Sequence, residues 1–459
     1  MTVTEPASDQ AIVALLRARV PGVSTDPAAL AAHATDRSGA GAPGRPVALV
    51  RATSVADVQE TMRLAHAHRV PVVPRGAGSG VAGGALATEG AIVLDLSAMD
   101  RILSLDPLDE VAVVEPGVVT AGLDAAAREH GLMYAPDPAS GAFSTLGGNI
   151  ATNAGGMRCV KYGVTREAVL GLDVVLADGR LLRTGRRTVK GVAGLDLTSL
   201  FVGSEGTLGV VVGAALRLRP RPQTTLTVAA GFADVEDAAA ACSAVARERL
   251  QPSLLELLDR ATLEVVDRAQ GTDLASRGGA LVIAQADGTG AHEEVEALLA
   301  VLGKEATWSE LALDEAHAAE LLTARRLALP SIETFGRALI EDICVPRSRL
   351  AEAFRGVEAI AARTGVAICS FAHAGDGNLH PIVSFDAGLA EVPAPVLEAA
   401  DAIFALALEL GGTVTGEHGI GLLKRDWLAR EVGPESLAVQ ADLKRALDPH
   451  LVLNPGKAL

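Results

Sequence analysis

Between residues 75 and 84 the chain reads RGAGSGVAGG, and only ALATEG separates these glycines from the next apolar run, AIVLDLS. The stretch contains GxGxxG at Gly78, Gly80 and Gly83, the spacing of a dinucleotide-binding turn. A dinucleotide turn needs a helix directly after the glycines, so that its N-terminus faces the pyrophosphate. Six residues before the next strand leave no room for that helix, so a Rossmann unit is excluded. A concave anion site built from main-chain N–H groups is still available, because five glycines lie between residues 76 and 84 with Arg75 at the entrance.

Two further clusters share this character: STLGGNIATNAGG (144–156) and GSEGTLG (203–209). Any one of them can be a set of tight turns. Three in one region, at the joins of short strands and helices, point to a large phosphate-bearing cofactor held mainly by backbone. RPVALV, VPVVPRG, AIVLDLS and VAVVEPGVVT read as strands, while SVADVQETMRLAHAHR, with Ser54 as its N-cap, and AGLDAAAREHG read as helices. A short helical lead-in occupies residues 1–36, and this layered α/β region runs over 37–220.

RLRPRPQTT (216–224) marks a boundary. Beyond it TLTVAAGF, SLLELLD and ALVIAQADG alternate with VEDAAAACSAVARER, ATLEVVDRAQ and AHEEVEALLAVLG. This predicts an α+β unit over 221–410, with helices on one face of an antiparallel sheet. Residues 411–459 form a C-terminal segment with a last helix at ESLAVQADLKRALD. A chain of 459 residues is long enough for two or three domains. Aromatics make up only 3% of it, so Ala, Val, Leu and Ile must fill the cores.

The formal charge of −16, with no basic block interleaved with aromatics, argues against nucleic-acid binding. Cys159, Cys242, Cys344 and Cys369 form no CxxC pair and read as reduced, mostly buried thiols. MTVTEPASDQ lacks the pattern of a signal peptide, and no run of about 20 apolar residues could span a bilayer. A cytoplasmic location is expected, with peripheral association at the inner face of the membrane left open.

The three clusters in their contexts, VPVVPRGAGSGVAGGAL, PDPASGAFSTLGGNIATNAGGMRCVKYG and DLTSLFVGSEGTLGVV, resemble the FAD-binding domain of the vanillyl-alcohol oxidase/p-cresol methylhydroxylase superfamily. The resemblance implies a two-subdomain α/β domain whose first loop wraps the FAD pyrophosphate. By motif position the flavin-side residues are Arg75, Gly76, Gly78, Ser79 and Gly80 in the first loop. Pro138, Ser144, Thr145, Gly148, Asn149, Thr152, Asn153 and Gly155 follow in the second, then Glu205, Gly206 and Val211 in the third. Relatives that tether FAD covalently use a histidine in or near the first loop. Ser79 stands there, so FAD is expected without a covalent bond.

A second signal lies in SFAHAGDGNLH (370–380) and TGEHG (415–419), which hold three of the chain's ten histidines among glycines. VAICSF and LHPIVSF are strand-like, and AGDGN between them is turn chemistry. A hairpin centred on Asp376 and Gly377 places His373 directly opposite His380, on one face, with Cβ atoms about 4.5–5.5 Å apart. Such a pair, completed by Glu417, suits an open divalent-metal site. It equally suits an anion site without metal, or a cross-strand pair with a structural role only. In an extended strand Glu417 and His418 would point to opposite faces, and only the flanking glycines allow them a shared direction.

HAGDGNLH and GEHGIG resemble the C-terminal, ferredoxin-like α+β cap domain of FAD-linked oxidases, found in D-lactate dehydrogenases, the D subunit of glycolate oxidase and D-2-hydroxyglutarate dehydrogenases. That resemblance implies His373, His380 and Glu417 as ligands of a divalent metal, Zn²⁺ or Mn²⁺, and His418 as the base. It puts Asn378 near the substrate and Asn454 on the flavin side. ARRLALPSIETFG resembles the segment carrying the arginine that holds a substrate carboxylate, here Arg325, with Arg326 its neighbour. Hydroxyglutarate-specific relatives carry a lysine two residues before the position of Asp342. Ile340 stands there, which favours a substrate with one carboxylate.

The implied reaction is FAD-dependent oxidation of a small D-2-hydroxy acid to the 2-oxo acid. A quinone, a cytochrome, an electron-transfer flavoprotein or oxygen is left open as acceptor, and a homodimer is compatible with the sequence. D-2-hydroxyglutarate oxidation, a non-redox FAD reaction of the alkylglycerone-phosphate synthase type, and a non-catalytic FAD-binding subunit are the alternatives.

Overall fold

A computed structural model describes residues 8–39, 43–389 and 391–459. The first seven residues of the expected lead-in lie outside them. The chain divides into two compact units. The first comprises Met1–Gly155, Val164–Arg221 and Glu417–Leu459, and the second comprises Gly156–Gly163 and Pro222–Gly416.

In the first unit, Ala48–Arg51, Ile92–Asp95 and Val72–Arg75 form a parallel sheet, edged by Val23–Ser24. The helix Val55–His68 connects Ala48–Arg51 to Val72–Arg75, and its Ser54 cap accepts from the Asp57 N–H. Val58, Met62 and Ala65 on its inner face pack with Val50, Val72, Ile92 and Leu94 in one core. No helix occurs between Arg75 and Ile92, as the short spacer requires. A second sheet, antiparallel, takes the order Ile102–Asp106, Val111–Val114, Val210–Arg217, Val169–Val175, Leu181–Gly185. The C-terminal helical segment Arg425–Leu447 breaks at Gly433, ahead of Pro434. Its Lys444 is buried, donating to the Thr207 and Leu453 carbonyls and to Asp448, which ties the tail to the third glycine cluster.

The second unit is built on one eight-stranded sheet. Trp308–Leu311, Thr225–Phe232, Ala280–Asp287, Leu254–Asp259, Ala367–His373, Asn378–Phe385 and Arg337–Ile340 follow in order, and Ile343–Cys344 also pairs with Asn378–Phe385. All the pairings are antiparallel. The expectation of helices on one face is corrected. Leu254, Leu258, Leu281, Ile283, Cys369 and Phe371 share a core with the helices Arg260–Gln270 and Glu315–Glu333. Leu257, Val282 and Ala284, on the opposite face by the period-two rule, are equally buried. The helices Val235–Arg247, Ala291–Leu302, Leu350–Thr364 and Ala394–Glu409 pack on this sheet or on one another. The central strands therefore read as continuous apolar runs, because both of their faces are covered.

Residues Gly156–Gly163 lie within the sequence of the first unit but pack with the second. Lys161 Nζ donates to Asp287 Oδ1 at 2.5 Å and Tyr162 donates to Asp287 Oδ2 at 2.7 Å, while Val160 fills the space beside Gly375. Nothing in MRCVKYG announces this excursion. All four cysteines are free, and burial pushes the thiols of Cys344 and Cys369 up to about 12. Among the described residues no helix is long and apolar enough to cross a membrane.

Candidate active site

In the first unit the three glycine clusters come together through contacts that only small residues allow. Gly78 has φ +68°, and a Cβ there would collide with the Arg75 guanidinium, which folds back over it. A Cβ on Gly76 would collide with Thr145 Oγ1, whereas Gly80 faces open space. Arg75 donates to the Thr35 carbonyl. Ser144 is buried beside Thr120, which takes a 2.6 Å bond from the Asn149 amide. Thr145 heads the short helix Leu146–Thr152, within which Thr152 Oγ1 donates to the Gly148 carbonyl. The Pro138 carbonyl closes a turn on Gly141, and Asn153 closes the helix with φ +55° while accepting the Arg166 N–H.

The third cluster and the tail lock each other. Glu205 accepts the N–H groups of Ile420 and Gly421, both at 2.8 Å, and Asn454 donates to the carbonyls of Gly84 and Glu205. Burial pushes the Glu205 carboxyl up, against the opposing pull of those two N–H groups and of Lys424 and Lys457. Gly206, with φ +70°, lies against the ring of Pro74, and Val211 is buried in its strand. The side chains of Asn149, Asn153, Glu205 and Asn454 thus have partners within the protein. Thr145 differs: its Oγ1 is buried without a hydrogen-bond partner. Such a group costs about 1–3 kcal/mol. It lies next to glycines that a bulky, oxygen-rich cofactor would need, so these residues fit FAD.

The second unit supplies ionisable side chains. The hairpin expected to centre on Asp376 and Gly377 is shifted: His373 pairs with Asn378, and His380 pairs with Phe371. The His373 carbonyl accepts both the Asp376 and Gly377 N–H groups, and Gly377 takes φ +86°. The connection is therefore a four-residue loop, Ala374 to Gly377, and not a two-residue turn. His373 and His380 still share a face, as diagonal neighbours, because the shift is an even number of residues. Their rings meet edge to face with centroids 5.2 Å apart, and both side chains are buried.

Two acidic residues to which sequence reasoning gave no role underlie this face. Glu256, fully buried in Leu254–Asp259, is in register with His373. Its Oε1 lies 2.7 Å from His373 Nδ1, within hydrogen-bond distance, and its Oε2 accepts from Arg325 Nε at 2.5 Å. Arg325 is buried on the helix Glu315–Glu333, while Arg326 is exposed. Asp342, also fully buried, accepts from the Asn378 amide at 2.6 Å, Thr415 Oγ1 at 2.7 Å and the Gly416 N–H at 2.9 Å, and lies 3.8 Å from His380 Nδ1. A lone acid inside LLELLD, where every other position is apolar or a cap, was the available signal for Glu256.

The TGEHG motif is divided between the units. Thr415 and Gly416 close the second, and Glu417 and His418 resume the first. Within the first unit Glu417 lies over Gly155, where a Cβ would collide with its carboxylate, and 3.9 Å separates it from the His418 ring.

Comparisons with known proteins agree with this architecture. Residues 221–458 match the family model for FAD linked oxidases, C-terminal domain, and residues 46–185 match that for an FAD binding domain. The glycolate oxidase subunit GlcD of Bacillus subtilis is 40% identical over 90% of this chain and 88% of its own. A D-lactate dehydrogenase of Anaerostipes hadrus is 35% identical over 90% and 89%. Among solved structures, p-cresol methylhydroxylase with substrate bound superposes with a TM-score of 0.80 at 20% identity, over 98% of this chain and 96% of that one. An alkyldihydroxyacetonephosphate synthase gives 0.75 at 20% identity, over 99% and 87%, and at such identity both likenesses establish the fold alone. With both halves matched and relatives of this identity aligned along nearly their whole length, the chain belongs to the FAD-linked oxidase family.

Proposed function

We propose that the protein oxidises a small D-2-hydroxy acid, of the D-lactate or glycolate kind, to the corresponding 2-oxo acid. FAD, held without a covalent bond, supplies when bound the acceptor for the Cα hydrogen and its electron pair. A divalent ion, Zn²⁺ or Mn²⁺, supplies when bound a Lewis acid for the hydroxyl oxygen. The observation that carries the reading is the imidazole pair: His373 and His380, buried on one sheet face, their ring centroids 5.2 Å apart. Their donor chemistry fits a borderline-soft divalent ion.

His373, His380 and Glu417 would hold the ion. Support for Glu417 comes from chain continuity: it directly follows Gly416, whose N–H is fixed on Asp342. Arg325 grips the substrate carboxylate through charge-assisted bonds, and Asn378, fixed on Asp342 and the Ile343 carbonyl, borders the substrate. His418 takes the hydroxyl proton, a role an imidazole base can fill. Ile340 stands where hydroxyglutarate-specific relatives carry the lysine that helps bind a second carboxylate, which favours monocarboxylates. The relatives named for D-lactate and glycolate support this substrate class. Two electrons per turnover then pass to a quinone, a cytochrome, an electron-transfer flavoprotein or oxygen.

The test is anaerobic titration of the FAD-loaded protein with D-lactate, L-lactate, glycolate and D-2-hydroxyglutarate. D-lactate or glycolate should bleach the flavin, and a flavin untouched by any of the four overturns the reading. His373→Ala should retain FAD but lose turnover by roughly 10³-fold or more, the equivalent of several kcal/mol of charge stabilisation. Unchanged turnover in that variant removes the metal from the proposal.

A further inference from the structure

Five side chains of the second unit form a closed circuit. Glu256 Oε2 accepts from Arg325 Nε, and its Oε1 lies 2.7 Å from His373 Nδ1. The Arg325 guanidinium lies over the Phe371 ring, Cζ 4.3 Å from its centroid. Phe371 pairs across the hairpin with His380, centroids 5.5 Å apart, and His380 meets His373 edge to face. Every element comes from secondary structure: three adjacent strands and one helix. Glu256 is the only acid in the circuit, and each of its oxygens carries a different partner.

We propose that Glu256 is a positioning residue that holds His373 in a single tautomer and Arg325 in a single pose, coupling the two arms of the site. The inference rests on the reading above for what those two arms hold. An ionised carboxylate can only accept hydrogen bonds. The His373 nitrogen 2.7 Å from it must therefore carry the proton, and the neutral ring then presents the Nε2 lone pair. A carboxylate behind a ligand histidine both fixes its ring and raises its basicity. The same carboxylate occupies Arg325 Nε, which leaves substrate recognition to the two terminal amino groups. Burying a carboxylate among the four leucines of this strand costs several kcal/mol unless it is fully paired. Replacing the whole buried pair by apolar side chains of similar volume is often neutral or stabilising, so a function for Glu256 and Arg325 together is the physical reason to keep the acid.

Glu256→Gln separates the two roles without changing shape, since an amide offers one acceptor where two are used. If its oxygen stays on Arg325, its NH₂ meets His373 Nδ1 and drives the proton to Nε2. In FAD-loaded protein the variant should keep its flavin content and circular dichroism. Its Zn²⁺ affinity by calorimetry should fall about 10–100-fold, and the KM for D-lactate should rise. Glu256→Asp, which keeps two acceptor oxygens on a shorter stem, should recover part of both losses. Zn²⁺ affinity and KM both at wild-type values in E256Q would overturn the proposal.

A second measurement needs neither turnover nor a folded variant. The ¹⁵N spectrum of metal-free, FAD-loaded wild-type protein should show His373 protonated at Nδ1 and bare at Nε2. A proton on Nε2 instead overturns the proposal, whether or not E256Q folds. Because this readout involves neither substrate nor metal, it stays decisive if D-lactate fails to bleach the flavin, so the two readings can fail separately.

Discussion

The two units offer polar surface to a ligand by opposite means. In the first, the surface around Gly76, Gly78 and Gly80 is mostly main chain, and side chains are kept small so that backbone can approach closely. Several of its buried ionisable groups serve the C-terminal tail, Lys444 on Asp448, Glu205 on residues 420 and 421, and Lys457 on Asn454 and the Leu86 carbonyl, while Asp57, Asp95 and Glu115 bond to the unit's own strands and caps. Burial pushes Lys457 down to about 8. In the second unit the buried carboxylates Glu256, Asp342 and Asp259 each bond to several groups of the histidine-bearing strands and their neighbours. Main-chain N–H groups suit a long polyanion because they do not titrate and are available at every residue. A small acid with one reacting hydroxyl needs charges at fixed points, and only buried, fully bonded side chains hold such points in place.

The contrast predicts that the second unit is more sensitive to loss of a single polar group. Asp342→Ala strips the acceptor from Asn378, Thr415 and Gly416 at once, and each orphaned donor costs about 1–3 kcal/mol. A loss on the order of 5 kcal/mol is expected in chemical denaturation, with loss of turnover. A loss under about 1 kcal/mol would show that this carboxylate is not a structural centre.

A pH dependence of similar size should come from Asp259, whose carboxyl burial pushes up to about 7 from 3.8, despite the N–H groups of Thr262 and Ser370. The folded state then holds this proton more tightly than the unfolded chain. Its contribution is complete below about pH 4 and is lost as pH rises to about 7, on the order of 4 kcal/mol. Unfolding free energies of wild type and Asp259→Asn across that window should diverge in slope, and parallel curves would refute the assignment.

The smallest effect belongs to the first unit and has a distinctive sign. Thr145→Val removes a buried hydroxyl that has no partner in the protein. Flavin-free protein should gain about 1 kcal/mol, while FAD affinity by fluorescence titration should fall by about tenfold. A loss of stability in the flavin-free state would mean that Thr145 is satisfied by the protein itself.

Local pattern was enough to place strands and helices, to reject a dinucleotide turn after Gly83, and to put His373 and His380 on one face. Period-two alternation and the room a helix needs are properties of consecutive residues. The hairpin register was misread by two because it depends on how the loop carbonyl of His373 is satisfied. The covering of both sheet faces was missed because apolar runs such as SLLELLD do not reveal what packs on them.

Glu256 and Asp342 were the larger omissions. A buried acid carries no mark of its partner: Glu256 meets His373 from 117 residues away, and Asp342 meets Gly416 from 74. Residue types and their spacing along the chain were sufficient to name the family, its cofactor class and the histidines. Which groups support those histidines, and which of their nitrogens those groups meet, follow from hydrogen bonds that form only when distant strands align, because a buried charge is tolerated only where folding brings it a partner.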